Sequence, residues 1–403
     1  MLFNKDYDIK NIFKKTKVKN KDKGHNFMVF KWIEKKAFKK GLENPSFFRG
    51  VVRRIAYSMA KGDPERVHEL ALDALNEHTD IIEEVSKDFD FKDLHVTVAD
   101  WDVMPFGTAP GLDKNGDALR PLSKLFGYLK PGTIIVPERE GNSRPRVAID
   151  EKLDEIYNAQ GFPSKGLEYF TERLGEYDNK TIRCPLIPSV CGLPLEENLN
   201  NAYKELEIIL RRIYPYVDGV EWNPFSPNTK ALSALRTPSE FKRSAKLIKD
   251  LIGPKMAVVK MGPYDDYEEQ KTNWLKLVES FLDGGGDGIT AVNTYMVPKE
   301  KIPSETWGYQ SAGRSGTFLQ EYRQRALKDA RMNFPNAFIF ATGGIDSAEQ
   351  AWSALQYADA LEGYTPYTFK GFGLILEMAD GLRTKLKENG YKTLREFLAS
   401  REF

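Results

Sequence analysis

The chain has few of the residues that often mark metal or thiol chemistry. Its 403 residues include two cysteines, Cys184 and Cys191, and four histidines. Two cysteines make no disulfide framework, which points to a reducing compartment. Neither has a His or Cys neighbour at zinc-ligand spacing, so no metal site is expected. The histidines (His25, His68, His78 and His95) all fall before residue 96, so no later loop has one as a general base. No apolar run approaches the roughly 20 residues that span a bilayer. The N-terminus has no apolar core followed by a small-residue cleavage site and does not read as a secretory signal. No G-x-G-x-x-G follows a first strand, which counts against an open doubly wound sheet.

What is present is lopsided charge. The net is +1, yet residues 1–62 hold 17 Lys+Arg against 5 Asp+Glu, a net of +12, leaving −11 for the rest. Residues 1–24 are Lys-rich without periodicity and read as a solvated arm. Residues 26–42 place Phe27, Phe30, Ile33 and Ala37 on one helical face. Phe48, Val51, Val52, Ile55 and Met59 recur at three- and four-residue steps, with Arg49, Arg53 and Arg54 between them. In "DPERVHELALDAL", Asp63 is a natural N-cap and Pro64 a first helical residue. Basic amphipathic helices of this kind suit an anionic membrane surface, or else pack their apolar faces on the next domain.

From residue 91 the pattern changes. "HVTVAD" and "WDVMPF" read as a hairpin. Eight short apolar runs follow: "FGTAP", "GTIIVP", "CPLIPSV", "GVEWNPF", "MAVVKMG", "GITAVNT", "FIFATGG" and "ALEGYTP". Helix-like stretches separate most of them. Strand–helix alternation implies parallel pairing, and eight units in about 300 residues imply a closed (β/α)8 barrel.

Barrel strands deliver their C-terminal ends to one functional face. Here those ends are Lys114 past the first run, Thr133 at the second, Ser189 at the third, and Asn223, Ser226 and Asn228 at the fourth. Lys260 ends the fifth, Asn293 and Thr294 the sixth, Gly343 and Gly344 the seventh, Tyr364 and Thr365 the eighth. The last two turns suit a phosphate, because their backbone N–H groups can approach it closely. Two lysines at one mouth call for negative partners. Asp113 is a candidate for Lys114, whereas "VVKMGP" offers Lys260 none nearby, so an anionic, ring-bearing ligand is expected. Ser226 is the best-placed hydroxyl for taking a proton.

Taken in order, "FGTAPGLDKNGDAL", "EGNSRPRV", "SPNTKAL", "VVKMGP", "AVNTY", "GRSGTFL", "ATGGIDSAEQAW" and "LKENGYKTLREFL" resemble the motifs of the dihydroorotate dehydrogenases, class 2, over about residues 46–400. The resemblance implies a barrel that holds FMN, oxidises (S)-dihydroorotate to orotate in pyrimidine biosynthesis and reduces a membrane quinone. It implies Ser226 as base, with Lys114 touching both flavin and substrate. Asn158, Gly161 and Phe162 of "NAQGF", with Asn223, Asn228, Asn293 and Thr294, would hold the pyrimidine. Ala109, Gly111, Lys114, Thr133, Asn158, Ser189, Asn223, Lys260, Ser315, Gly316, Gly343, Gly344, Tyr364 and Thr365 would contact the flavin, and His68 a quinone tunnel. Three regions follow: a basic extension (1–45), a helical membrane and quinone segment (46–90), and the FMN barrel (91–403). The protein would sit peripherally on the cytoplasmic face of the cell membrane, with no nucleic-acid partner. The chain departs from the family pattern at Pro224, Phe225, Ser189, Gln160, Pro163 and Val292. At Ile149 it lacks the tunnel arginine. The alternative is a related FMN barrel acting on another pyrimidine, or using a soluble acceptor such as fumarate or NAD.

Overall fold

Seven parallel strands pair in the order β3 (Phe106–Thr108), β13 (Ala360–Gly363), β12 (Phe338–Thr342), β9 (Gly288–Ala291), β8 (Met256–Met261), β7 (Gly219–Trp222) and β6 (Ser189–Val190). The computed structural model describes residues 35–177, 181–195, 198–226 and 229–403. The gap between β6 and β3 is filled by an irregular eighth run. Gly107 bridges Tyr128, Leu129 bridges Leu186, and Ile134 bridges Val190, all in parallel. The curled sheet is therefore a (β/α)8 barrel, not an open doubly wound sheet. The eighth run spans residues 128–134, so the expected strand "GTIIVP" begins too late. Lys130 and Pro131 interrupt the apolar pattern and hide its true start.

Strands buried on both faces read as continuous apolar runs. In β7, Val220 and Trp222 face outward, and Trp222 lies edge-on to Phe241 and stacked with Phe281. Gly219 and Glu221 therefore face the barrel axis. The surrounding helices follow ordinary rules. Pro238–Ile252 starts at Thr237, whose side chain accepts from the Glu240 N–H, and buries Phe241, Ala245, Ile248 and Ile252. Each such large apolar side chain stabilises the fold by about 1.5–3 kcal/mol on burial. The expected hairpin forms as β1 (Val96–Val98) against β2 (Trp101–Val103), antiparallel at the barrel foot.

A second sheet over the mouth was not foreseen. It runs β10 (Tyr295–Pro298), β11 (Ser311–Gly316), β5 (Glu155–Asn158), β4 (Val147–Asp150), all antiparallel. Tyr157 points away from the mouth into a small core with Trp307, Val297 and Ala312. Ile156 and Asn158, of opposite parity, line the mouth.

At the N-terminal end, residues 35–43 are helical, while 1–34, and with them most of the expected helix 26–42, lie outside the described residues. Helix Pro64–Glu77 forms as expected, with Asp63 accepting from the Glu65 and Arg66 N–H groups. Leu42 and Leu75 join the same core as the barrel residues, so the described helices pack on the barrel. Among the described residues, no helix is long and apolar enough to cross a membrane.

Candidate functional site

The eight strand ends open into one cavity of about 1170 Å³, solvent opening included. Lys114, Thr133, Asn158, Asn223, Ser226, Lys260, Asn293 and Thr294 line it. So do Ala109, Gly111, Gly161, Phe162, Ser315, Gly316, Gly343, Gly344, Tyr364 and Thr365. Two expected residues stand apart, and a third is not described. Ser189 is fully buried one layer below the wall, with its Oγ 3.2 Å from Thr133 Oγ1. His68 lies on a neighbouring apolar chamber. Asn228 lies outside the described residues.

A chain of polar side chains links alternate strand ends around the mouth. Asn223 donates to Thr133 Oγ1 at 2.8 Å, and Asn293 donates to Asn223 Oδ1 at 3.2 Å. The Thr294 N–H donates to Asn293 Oδ1 at 2.8 Å. The amides are thereby oriented before any ligand arrives, while Thr294 Oγ1 is buried without a partner. An orphaned hydroxyl in a cavity wall is a group prepared for a ligand.

Ser226 sits on the turn that ends β7. Arg236 holds that turn, donating to the Pro224 carbonyl at 2.9 Å and the Ser226 carbonyl at 3.3 Å, and lies over the Phe225 ring. Phe225 is accommodated because residue 262 is glycine; a Cβ there would meet Phe225 Cδ1 at 2.6 Å. The Pro224–Phe225 departure is thus built into a fixed turn. Sequence reasoning had no signal for Arg236, which lies ten residues on.

On the opposite wall, Gly343 and Gly344 have φ of +106° and +66°. A Cβ at 344 would meet Gln320 Cγ at 2.6 Å and the Gly316 carbonyl oxygen at 2.8 Å. Only glycine suits that turn. Buried Arg323 ties it down, donating to the Gly343 carbonyl at 2.7 Å. Ser315 Oγ and Thr365 Oγ1, 2.9 Å apart, complete a cradle of hydroxyls and backbone. These groups fit a phosphate.

The lysines differ from expectation. Asp113 does not pair with Lys114; its carboxylate accepts from the N–H groups of Asp117 (2.8 Å) and Ala118 (2.9 Å). Burial pushes the Asp113 carboxyl up to about 6. Lys114 keeps some exposed area at the cavity, and desolvation lowers its pKa. Lys260 does have a carboxylate nearby: Glu221 Oε1, at 3.9 Å across the β7–β8 pair. Beneath it lies a wholly buried group that the sequence reading overlooked. Lys130 Nζ is 2.9 Å from Glu221 Oε2 and closer still to Glu362 Oε1. Burial pushes Glu362 up to about 7. Glu221 falls below the usual carboxylate range: burial opposes this, but Lys130, Lys260 and Thr290 outweigh it. The available signal was a charged residue at an inward position of an apolar run, as in "DGVEWN".

Behind the mouth lies the apolar chamber. Phe38, Leu42, Val52, Ala71, Leu75 and Ile149 line it, with His68 and Arg53 among the few polar groups. Val147, Ile156 and Tyr364 belong to both spaces.

Fold and site together define a (β/α)8 barrel whose mouth gathers two lysines, an ordered chain of amides and a cradle of glycines and hydroxyls. Residues 94–386 match the family model described as dihydroorotate dehydrogenase. A dihydroorotate dehydrogenase (quinone) of Nitratiruptor sp. is 28% identical over 299 residues, covering 72% of this chain and 81% of the relative. One from Legionella pneumophila is 30% identical over 287 residues, covering 68% and 84%. One from Idiomarina loihiensis is 28% identical over 340 residues, covering 79% and 96%. The solved structure of DHODH from Eimeria tenella in complex with ferulenol shares the fold, with a TM-score of 0.71 at 24% identity, covering 84% of this chain and 96% of that one. The chain belongs to the dihydroorotate dehydrogenase family, whose members are flavin-dependent oxidoreductases.

Proposed function

We propose that the chain oxidises (S)-dihydroorotate to orotate with FMN as cofactor and a membrane quinone as electron acceptor. The observation that carries this reading is the convergence of Lys114, Asn223, Ser226, Asn293 and the Gly343–Gly344 turn on one cavity that shares a wall with an apolar chamber.

The glycine turn and the Ser315–Thr365 pair supply donors for an FMN phosphate, with Lys260 below, while the unpartnered Thr294 hydroxyl is left for the pyrimidine. When bound, FMN supplies a hydride acceptor that can be reoxidised by a quinone. The chain's own residues do the rest. Asn223 and Asn293, held by each other and by Thr133, present fixed amides to the pyrimidine. Lys114, in a poorly solvated position, attracts the substrate carboxylate more strongly than an exposed lysine would. Ser226 Oγ takes the proton from C5 of dihydroorotate, on a turn that Arg236 keeps from relaxing. Preorganised dipoles of this kind need no rearrangement as charge develops.

The chamber supports the quinone assignment, because its lining is almost wholly apolar and Tyr364 divides it from the mouth. Exposed Lys40, Arg54, Met59 and Lys61 around its N-terminal helices suit a peripheral position on an anionic membrane.

The test is a steady-state assay with dihydroorotate and a panel of acceptors. Turnover with a short-chain quinone, far above that with fumarate or NAD, is the expected result. Preference for fumarate or NAD would replace the quinone assignment with the soluble-acceptor alternative, and no dihydroorotate oxidation with any acceptor would overturn the substrate.

A further inference from the structure

Four ionisable side chains meet in the dry interior of the barrel, directly under the mouth. Lys130 comes from the eighth run, Glu221 from β7, Lys260 from β8 and Glu362 from β13. Lys130, Glu221 and Glu362 are at most 2% exposed and Lys260 is 5% exposed. Two lysines and two glutamates sum to zero. The share-out between them is unequal. Lys130 Nζ lies 2.9 Å from Glu221 Oε2, 2.9 Å from Thr290 Oγ1 on β9, and in closer contact with Glu362 Oε1. It also lies 3.5 Å from the centroid of the Phe340 ring on β12. Thr290 in turn donates to Glu221 Oε2 at 2.6 Å. Lys260 is left 3.9 Å from Glu221 Oε1, beyond hydrogen-bond reach, while lining the floor of the cavity.

We propose that Lys130 is a positioning residue: by engaging both barrel carboxylates it leaves the Lys260 ammonium uncommitted and directed at the cofactor's ring. This deepens the reading above and rests on it. An unpaired buried charge finds whatever partner it can reach. Without Lys130, buried Glu362 would take up a proton and Glu221 would keep Lys260 as its one cation. Lys260 would be drawn down onto Glu221, and the ring would lose its positive neighbour. Two consequences follow. The cofactor is held more weakly, and its reduced, electron-rich form loses stabilisation, so its reduction potential falls.

The test uses the full-length holoprotein at pH 8. FMN dissociation is followed by recovery of flavin fluorescence on dilution, and the potential by dye-coupled reduction. Lys130→Met is expected to raise the FMN dissociation constant tenfold or more and to lower the potential. Lys130→Met with Glu221→Gln also removes the carboxylate that would draw Lys260 down, and should bring both readouts back toward the wild type, to within about threefold in affinity. A purely space-filling role for Lys130 predicts no such rescue. Glu362→Gln alone leaves an excess of positive charge and should raise the potential; this variant decides the matter if Lys130→Met does not fold. Unchanged affinity and potential in Lys130→Met overturn the inference, as does a double variant no better than the single, or a Glu362→Gln potential that does not rise. A wild type that holds no FMN overturns the proposed function and this inference with it. A wild type that holds FMN beside an unaffected Lys130→Met overturns this inference alone.

Discussion

Glu65 and Arg146 tie the helix Pro64–Glu77 to the loop that precedes β4. Both side chains are nearly buried, 8% and 7% exposed. Arg146 Nη2 meets Glu65 Oε1 at 2.7 Å, and Nε lies 3.2 and 3.1 Å from the two carboxylate oxygens. Removing one partner of a buried pair leaves an uncompensated charge, which costs about 3–5 kcal/mol. Here Arg146 also donates to the carbonyls of Glu140 and Asn142, so it keeps some company. Glu65→Gln should therefore fall at the lower end, about 3 kcal/mol. Arg144, 46% exposed beside Glu65, adds little. Arg146→Met should cost as much or more, because Glu65 and two carbonyls lose their donor. The double variant Glu65→Leu/Arg146→Met buries no lone charge, so it should cost at least ~2 kcal/mol less than the sum of the singles. Urea unfolding of the full chain, followed by tryptophan fluorescence and circular dichroism, measures all three. A Glu65→Gln cost below about 1 kcal/mol, together with an additive double, would refute the claim that this pair clamps the helix.

Ser226→Ala should slow flavin bleaching by dihydroorotate in stopped flow by about 10²–10⁴-fold, with substrate affinity little changed; an unaltered rate excludes Ser226 as the base. Asp113 is held at about 6, against 3.8 for an ordinary aspartate. The native chain thus keeps its proton longer than the unfolded chain, and this residue's contribution to stability falls as pH rises between those values. Asp113→Asn should flatten the fall, and an unchanged stability–pH slope would count against the assignment. Ala71→Trp fills the apolar chamber; it should raise the KM for quinone while leaving turnover with a small soluble dye intact, and equal loss with both acceptors would show that the chamber is not the quinone's path. Burial first, then Lys114, pushes His68 down to about 3. The quinone half-reaction should accordingly show no His68 titration from pH 5.5 to 8, and a step near 6.5 that vanishes in His68→Gln would contradict a neutral imidazole there.

Much of this architecture could be read from the chain. Eight apolar runs separated by helix-like stretches predicted a closed barrel, and the polar residues after each run predicted its open face. Apolar periodicity survives in a single sequence because burial on both sides of a strand demands it. The hairpin at Val96–Val103 and the helix capped by Asp63 were legible because their signals are local. The eighth run at residues 128–134 was misplaced because it pairs by isolated bridges and carries a lysine and a proline. The antiparallel sheet over the mouth was missed for a related reason. "RPRVAID" and "SAGRSG" are short, half-polar and over 150 residues apart, and only pairing in space makes strands of them.

The surroundings of Lys260 are more instructive. Reasoning along "VVKMGP" looked for a carboxylate within a few residues of Lys260, and none is there. In a parallel sheet, however, nearness is set by register. Glu221 pairs with Val258, two residues before Lys260, so one pleat period brings their side chains to the same inner face. Lys260 pairs with Thr290, and Glu362 with Thr342. A charge at an inward position of one strand therefore predicts an opposite charge one or two strands away at the same height, because the dry interior tolerates no unbalanced ion. Applied to "DGVEWN", "VVKMG", "ALEG" and "GYLKPG" together, that condition would have linked Glu221, Lys260, Glu362 and Lys130 from the sequence alone. It would also have shown why Lys260 belongs to the set, because without it one buried lysine would face two carboxylates.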